Sequence, residues 1–208
     1  MRILPAVNCP SFHCVEERVA LAAAFSAPWV HLDVADGKFS IVPTWNDPEA
    51  FGFLRSRFPD TKFQVHLMVA DPEAVLPAWF DAGADEVIVH WEALRHQRLA
   101  IRMPDAHIRI GICAVTAIED VLQFLGPATP VLLLAAPPGL SGHTLDLSIV
   151  EKARALRERF PDIPIEIDGG VTTHTILIIR ECADSATAGM AIFNSPDPAR
   201  AYRDLCAA

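Results

Sequence analysis

One rhythm constrains this chain more than any other feature: short apolar, β-branched runs alternate with helix-forming stretches eight times within 208 residues. The runs are Ile3–Val7, Trp29–Asp33, Phe63–Met68, Glu86–His90, Ile108–Cys113, Val131–Ala135, Ile165–Asp168 and Ser185–Gly189. Between them the sequence predicts helices over Val15–Phe25, Pro48–Phe58, a stretch opened by Asp71-Pro72-Glu73, Leu94–Arg102, Ala117–Leu125, Leu147–Phe160 and His174–Cys182. A last helix is expected over Asp197–Cys206. Asp71-Pro72-Glu73 is a helix start, with an aspartate cap and a proline where its missing N–H costs nothing. Such alternation demands a mainly parallel sheet, because each helix must carry the chain back across a sheet face. Eight units in about 200–250 residues suit a closed (β/α)8 TIM barrel. An open doubly wound sheet competes, but its first βα turn is glycine-rich, and the turn here is Asn8-Cys9-Pro10-Ser11. No linker or low-complexity segment divides the chain, so residues 1–208 are expected to form one domain.

Hydrophobic residues make up 51% and charged residues 21%, the balance of a packed α/β protein rather than a disordered one. A formal net charge of −9 argues against nucleic acid, which needs a clustered cationic surface. Phosphate binding at a barrel mouth remains open, because backbone N–H groups and helix N-termini supply it locally. The apolar stretch Val19–Phe25 is far shorter than the roughly 20 residues that span a bilayer. Met1-Arg2-Ile3-Leu4-Pro5 runs into the first strand with no signal-peptide core, so a cytoplasmic protein without a membrane partner is expected. The five cysteines, Cys9, Cys14, Cys113, Cys182 and Cys206, form no CxxC pair and are expected as reduced thiols.

Barrel enzymes place their chemistry at the C-terminal ends of strands. Here those ends read His31-Leu32-Asp33, His66-Leu67-Met68, His90-Trp91-Glu92 and Asp168-Gly169-Gly170. Residues two apart on a strand share a face, so His31 and Asp33 point the same way. If that face is the barrel axis, they converge with His66 and Asp168. Two imidazoles and two carboxylates are a donor set for one divalent metal, Zn²⁺, Mn²⁺ or Fe²⁺. The bland alternative is four polar residues bonded to loop backbone, the commoner fate of any single one. His90 and Glu92 read either as partners that orient a ligating imidazole or as structural groups at the fourth strand end.

A wider set of motifs falls in the same order along the chain. Pro5 is followed by Phe12, then come His31 to Phe39, His66 to Val69, Ala82-Gly83-Ala84-Asp85 and His90-Trp91-Glu92-Ala93. Pro138 to Gly142, Glu166 to Val171 and Ala188 to Phe193 complete it. Together they resemble the ribulose-phosphate 3-epimerase family over nearly the whole chain. The resemblance implies inversion at C3 of a phosphorylated ketose by proton transfer through an enediolate, with ribulose 5-phosphate and xylulose 5-phosphate as the first-choice pair. It implies His31, Asp33, His66 and Asp168 as ligands of one divalent metal, with Asp33 and Asp168 doubling as acid and base. Met68, Gly139, Ser141, Gly142, Gly169, Gly170, Gly189 and Met190 are the implied substrate contacts, with Gly139–Gly142 as the loop that folds over the phosphate.

The chain departs from the family at its walls. Ala6 stands where the family has a serine, Ala35 and Leu134 where it has methionines, and Met190 where it has another serine. Ile41-Val42 replaces a Pro-Asn pair, and the fifth-strand loop Ala114–Ala117 is shorter. These changes imply a roomier, less polar pocket and leave another ketose phosphate, such as allulose 6-phosphate, as the alternative substrate. Lys38 and His143 could restore positive charge or donors near the substrate, but long polar side chains on loops more often face water, and both read first as solvated. A metal-independent barrel decarboxylase would need an Asp-x-Lys-x-x-Asp set, and no lysine follows Asp33 or Asp168 at that spacing. A non-catalytic phosphate-binding relative would have no use for the two histidines and two aspartates. Apolar helix faces leave a homo-oligomer open.

Overall fold

The structure, a computed structural model, describes residues 1–94, 107–139 and 142–208. The helix expected over Leu94–Arg102 lies outside the described residues except for Leu94, and so does Ser141. The elements are β1 (Arg2–Val7), α1 (Phe12–Ala24), β2 (Trp29–Ala35), α2 (Pro48–Arg57), β3 (Lys62–Met68), α3 (Pro72–Asp81), β4 (Glu86–His90) and β5 (Ile108–Cys113). They continue as α4 (Ile118–Leu122), β6 (Val131–Leu134), α5 (Ser148–Arg159), β7 (Ile165–Asp168), α6 (Ile176–Ile179), β8 (Ser185–Ala188), α7 (Met190–Phe193) and α8 (Pro198–Ala207). Each strand pairs in parallel with the next, and β8 pairs with β1, which closes the expected (β/α)8 barrel. Among the described residues no helix is long and apolar enough to cross a membrane.

Local chemistry explains most boundaries. Asp47 accepts the Ala50 N–H at 3.1 Å and Asp197 that of Arg200 at 2.9 Å, each followed by a proline in the first turn. Caps of this kind are worth about 1 kcal/mol. The stretch expected as a helix over His174–Cys182 forms only the four residues of α6, three of them isoleucine, whose β-branching lowers helix propensity. Short α7, directly after Gly189, has no counterpart among the expected helices.

The strands divide cleanly at period two. Val30, Leu32 and Val34 of β2, Phe63, Val65 and Leu67 of β3, and Ile108, Ile110 and Ile112 of β5 face outward. There they pack with helix residues such as Phe51, Leu54, Trp79 and Leu156. Burying each such side chain stabilises the fold by about 1.5–3 kcal/mol. The other parity points into the lumen, and much of it is polar.

Near the N-terminal ends of the strands the lumen holds a buried ion network. Arg109 donates through Nε and Nη2 to the two oxygens of Glu86, at 2.9 and 3.2 Å. Its Nη1 donates to the Val131 carbonyl at 3.2 Å. Glu166 Oε2 accepts from Ser185 Oγ at 2.7 Å and from Gln64 Nε2 at 3.2 Å, with Arg2 3.8 Å away. The Gln64 amide also donates to Glu86. Its two N–H bonds are therefore both spent downward, which aims Gln64 Oε1 toward the C-terminal end of the barrel.

One expectation is corrected. Cys9 and Cys14 form a disulfide, with Cα atoms 5.7 Å apart, while Cys113, Cys182 and Cys206 are free. The turn from β1 into α1 reverses the chain within five residues, which brings the two Cα atoms inside the roughly 4.4–6.8 Å a disulfide spans. A search for CxxC spacing does not see this pairing, because the turn sets it.

Candidate metal centre and active site

His31 and Asp33 of β2, His66 of β3 and Asp168 of β7 meet at the C-terminal end of the lumen as a group that could hold a metal ion. His31 Nε2 lies 3.1 Å from Asp33 Oδ1, 3.2 Å from His66 Nδ1 and 3.9 Å from Asp168 Oδ2. His66 Nδ1 lies 3.3 Å from Asp33 Oδ1 and 3.5 Å from Asp168 Oδ2. Four ligands bound at about 2.0–2.2 Å around one ion stand roughly 3.3–3.6 Å from each other. The observed separations bracket that span.

The surrounding hydrogen bonds assign the tautomers. Gln64 Oε1 can only accept, so His31 Nδ1, 2.5 Å away, is the donor and Nε2 carries the lone pair. His90 Nδ1 donates to Glu92 Oε2 at 3.3 Å, so His90 Nε2 accepts from His66 Nε2 at 2.8 Å. His66 Nδ1 is then also a lone pair. Each aspartate is turned by a neutral donor on its far oxygen: Asn8 Nδ2 donates to Asp33 Oδ2 at 3.0 Å, and Thr187 Oγ1 donates to Asp168 Oδ1. Four acceptors thus converge with no proton assigned among them. Such an arrangement favours positive charge at this point, and the group could hold a metal ion.

The electrostatics agree. Burial alone would push the His31 imidazole toward neutrality, but the Asp33 hydrogen bond and the charges of Asp33, Asp168 and Glu166 overcome it and raise its pKa to about 10. His66 shifts upward against its own burial, through Asp168 and Asp33. Burial opposes ionisation of Asp33 too, yet the two histidines hold it well below the usual carboxylate range. The pocket therefore favours positive charge at this point, which protons on the histidines supply and a bound metal ion would replace. Burial, reinforced by the charge of His66, lowers the pKa of His90 and keeps it in the neutral form the relay needs.

Above the four residues lies a cavity of about 320 Å³. Asp33 and Asp168 line it, with side chains 12% and 13% exposed, whereas both histidines are fully buried beneath. Only the carboxylates can meet a molecule in the cavity. Met68, Gly139, Gly142, Gly169, Gly170, Gly189 and Met190 all line it as well. Gly139 N–H points at Met68 Sδ, 3.0 Å away. Gly170 has φ +70°, and a Cβ there would collide with the backbone of Leu145, so only glycine lets the loops after β6 and β7 close together. Of the altered wall positions Ala6, Leu134 and Met190 border the cavity, while Ala35 is buried away from it. His143 borders the cavity and is also exposed to solvent, as the sequence reads it.

Sequence reasoning missed Asn8, Thr187 and Gln64. Thr187 and Gln64 stand two residues from other lumen-facing polar positions, and that parity is a signal that could have found them. Asn8 lies just beyond β1, where no strand parity applies. Of the two readings of His90 and Glu92, the geometry gives the orienting one its contacts: His90 Nε2 meets His66 Nε2, and Glu92 holds Nδ1 on the other side of the ring.

A closed (β/α)8 barrel with paired carboxylates at the floor of its mouth, over two buried histidines, is the architecture of a barrel enzyme. Comparison with known proteins narrows the class. The description "Ribulose-phosphate 3 epimerase family" fits residues 2–193. A ribulose-phosphate 3-epimerase of Mycobacterium leprae is 30% identical over 214 residues, covering 98% of this chain and 92% of the relative. One from Schizosaccharomyces pombe is 28% identical over 205 residues, covering 95% and 89%. The crystal structure of a 3-hexulose-6-phosphate synthase superposes with a TM-score of 0.74 at 20% identity, over 100% of this chain and 99% of that one, a likeness of fold alone. The chain belongs to the ribulose-phosphate 3-epimerase family and is an isomerase, within that class an epimerase.

Proposed function

We propose that the protein, acting as one barrel domain over residues 1–208, inverts C3 of a phosphorylated ketose, converting ribulose 5-phosphate to xylulose 5-phosphate. The observation that carries this reading is the convergence of four lone-pair acceptors under a cavity that, of the four, only Asp33 and Asp168 line. His31, Asp33, His66 and Asp168 would hold one divalent ion, Zn²⁺, Mn²⁺ or Fe²⁺. Bound there, it would supply Lewis-acid stabilisation of the negative charge that develops on the substrate oxygens.

The chain's own residues do the rest. β2 and β7 flank the β1–β8 side of the barrel, so Asp33 and Asp168 approach the cavity from either side of Ala6 and Thr187. One carboxylate removes the C3 proton and the other returns a proton to the opposite face of the planar enediolate, which inverts the centre. Asn8 and Thr187 hold the two carboxylates in place through their far oxygens. Among the described residues His143 is the only basic side chain lining the cavity, so the phosphate is assigned to backbone N–H groups at Gly169–Gly170 and Gly189–Met190. Met68, Gly139 and Gly142 cover the sugar; Ser141, which the family resemblance adds as a contact, lies outside the described residues.

The test is incubation with ribulose 5-phosphate in deuterated water. Deuterium should enter C3 and xylulose 5-phosphate should appear. A metal-loaded protein that does neither refutes the reading. A second reading, a ketohexose 6-phosphate such as allulose 6-phosphate, is favoured by Ala6 and Leu134, both small or apolar on the cavity wall. A substrate panel ranked by kcat/KM separates the two.

A further inference from the structure

The lumen carries a second cluster of metal-binding side chains that the proposed reaction does not use as ligands. His90 at the end of β4, Glu92 just beyond it and Cys113 at the end of β5 place one ligand atom each within 4.8 Å of the others. His90 Nδ1 stands 3.3 Å from Glu92 Oε2 and 3.5 Å from Cys113 Sγ. Ligands at about 2.0–2.2 Å for N and O and about 2.3 Å for S give separations of roughly 3.3–3.6 Å around one ion. The cluster is held as the first one is. Glu92 Oε1 is occupied by the Cys113 N–H at 2.9 Å and by the Thr116 hydroxyl, which leaves Oε2 facing His90. Lys152 Nζ donates to the Cys113, Ala114 and Thr116 carbonyls and fixes the turn that carries the thiol. Gly111 makes room for the imidazole, since a Cβ there would sit 3.1 Å from His90 Cε1. Glu92 also lines a surface groove with Trp91, Thr116 and Asp120, which gives an ion a path from solvent.

We propose that His90, Glu92 and Cys113 form a second cation site, selective for a thiophilic divalent ion such as Zn²⁺ or Cd²⁺, whose occupation opposes that of the first. A thiolate and a carboxylate with one neutral imidazole neutralise a divalent ion, and a soft sulfur ligand selects Zn²⁺ or Cd²⁺ over Mn²⁺. The thiol must lose its proton to bind. Burial, helped by the charge of Glu92, raises the Cys113 pKa to about 12, so only an ion with high sulfur affinity displaces that proton. The opposition follows from proton placement. An ion on His90 Nδ1 moves the ring proton to Nε2, which then donates to His66 Nε2. His66 must in turn carry its proton on Nδ1, aimed into the first centre. This coupling rests on the first centre being a metal site, as proposed above; the second site itself does not.

The test is a cadmium titration of metal-free protein in a Cys206→Ser background, without thiol reductant, followed by thiolate-to-cadmium absorption in the ultraviolet. One saturable equivalent is expected, absent in Cys113→Ser and retained in Asp168→Asn, which disables only the first centre. No saturable absorption, or absorption that persists in Cys113→Ser, overturns the site. Cys113→Ala serves if the serine variant fails to fold by circular dichroism. Preloading with Mn²⁺, counted by electron paramagnetic resonance, should weaken cadmium binding about 5–150-fold, the usual range of coupling between linked sites. Unchanged cadmium affinity with Mn²⁺ bound overturns the coupling. Failure to bind Mn²⁺ refutes the first centre and the coupling with it, while the cadmium absorption still decides the second site.

Discussion

The lumen of this barrel contains two polar layers built from similar residues to opposite ends. In the layer near the strand starts, Glu86 and Glu166 meet Arg109 and Arg2; Glu86 takes donors on both oxygens and Glu166 on Oε2, while Glu166 Oε1 has none among the described residues. In the layer near the strand ends, Asp33 and Asp168 meet His31 and His66, whose tautomers are fixed so that acceptors face acceptors. The lower layer closes its own charge balance and serves stability. The upper layer sets its two carboxylates against imidazoles alone, and under the proposed function a divalent ion would complete it. Gln64 joins the two, with its amide N–H groups spent below and its oxygen on His31 above. Apart from Arg2, both layers are largely buried, so the contrast lies in donors and acceptors.

Variants can break or sharpen that contrast. Asp33→Asn should cost the largest factor, about 10²–10⁴ in deuterium exchange at C3, the usual worth of a positioned acid or base. Its thermal midpoint should barely move, and retained exchange would remove Asp33 from the acid–base pair. Arg109→Met leaves Glu86 and Glu166 buried with too few donors and should destabilise by about 3–5 kcal/mol. At roughly 2–4 °C per kcal/mol for a chain of this size, calorimetry should show a drop of about 6–20 °C. Metal affinity of the folded fraction should be unaffected, and a large loss there would mean the layers are not separable.

Gln64→Leu strikes the joint. Metal affinity, measured by competition with a chelator, should fall about 10–100-fold because His31 loses the acceptor that sets its tautomer. Thr187→Val keeps the shape and removes one donor from Asp168; a loss of about 0.5–1.5 kcal/mol, some 2–10-fold in kcat/KM, is expected. Acid should separate the layers. Protons compete for His31 Nε2 below about pH 10, so metal affinity should climb with pH up to that value. Glu86, despite burial, is held below its ordinary pKa by Arg109. Its stabilising effect is therefore present above the unfolded carboxylate range, near pH 4.3, and is lost as pH falls through the lower folded value. Thermal midpoints measured from pH 7 to pH 3 should fall less steeply in Arg109→Met, which no longer depresses Glu86.

The barrel was legible because its signal is periodic: each run from Ile3–Val7 to Ser185–Gly189 became a strand. The convergence of His31, Asp33, His66 and Asp168 was legible because His31 and Asp33 sit two apart, and His66 and Asp168 stand at strand ends. Other features depend on contacts between distant segments, which no spacing along the chain encodes. Thr187 bonds Asp168 across the β7–β8 seam, and Asn8 reaches Asp33 over 25 positions. The Cys9–Cys14 bond depends on how sharply one turn folds. His90 could be read two ways until the 2.8 Å contact with His66 decided between them.

The period-two division of the strands also sets where this chain can change its length. One residue inserted into β2 ahead of His31 would exchange the two sides of the strand. Leu32 and Val34 would turn into the lumen, and His31 and Asp33 would be thrown among the helices, where neither finds a partner. A single-codon deletion in β3 or β7 would do the same to Gln64 and His66 or to Glu166 and Asp168. The strands can therefore accept substitutions but no insertions or deletions, and length variation between related sequences must collect in the loops.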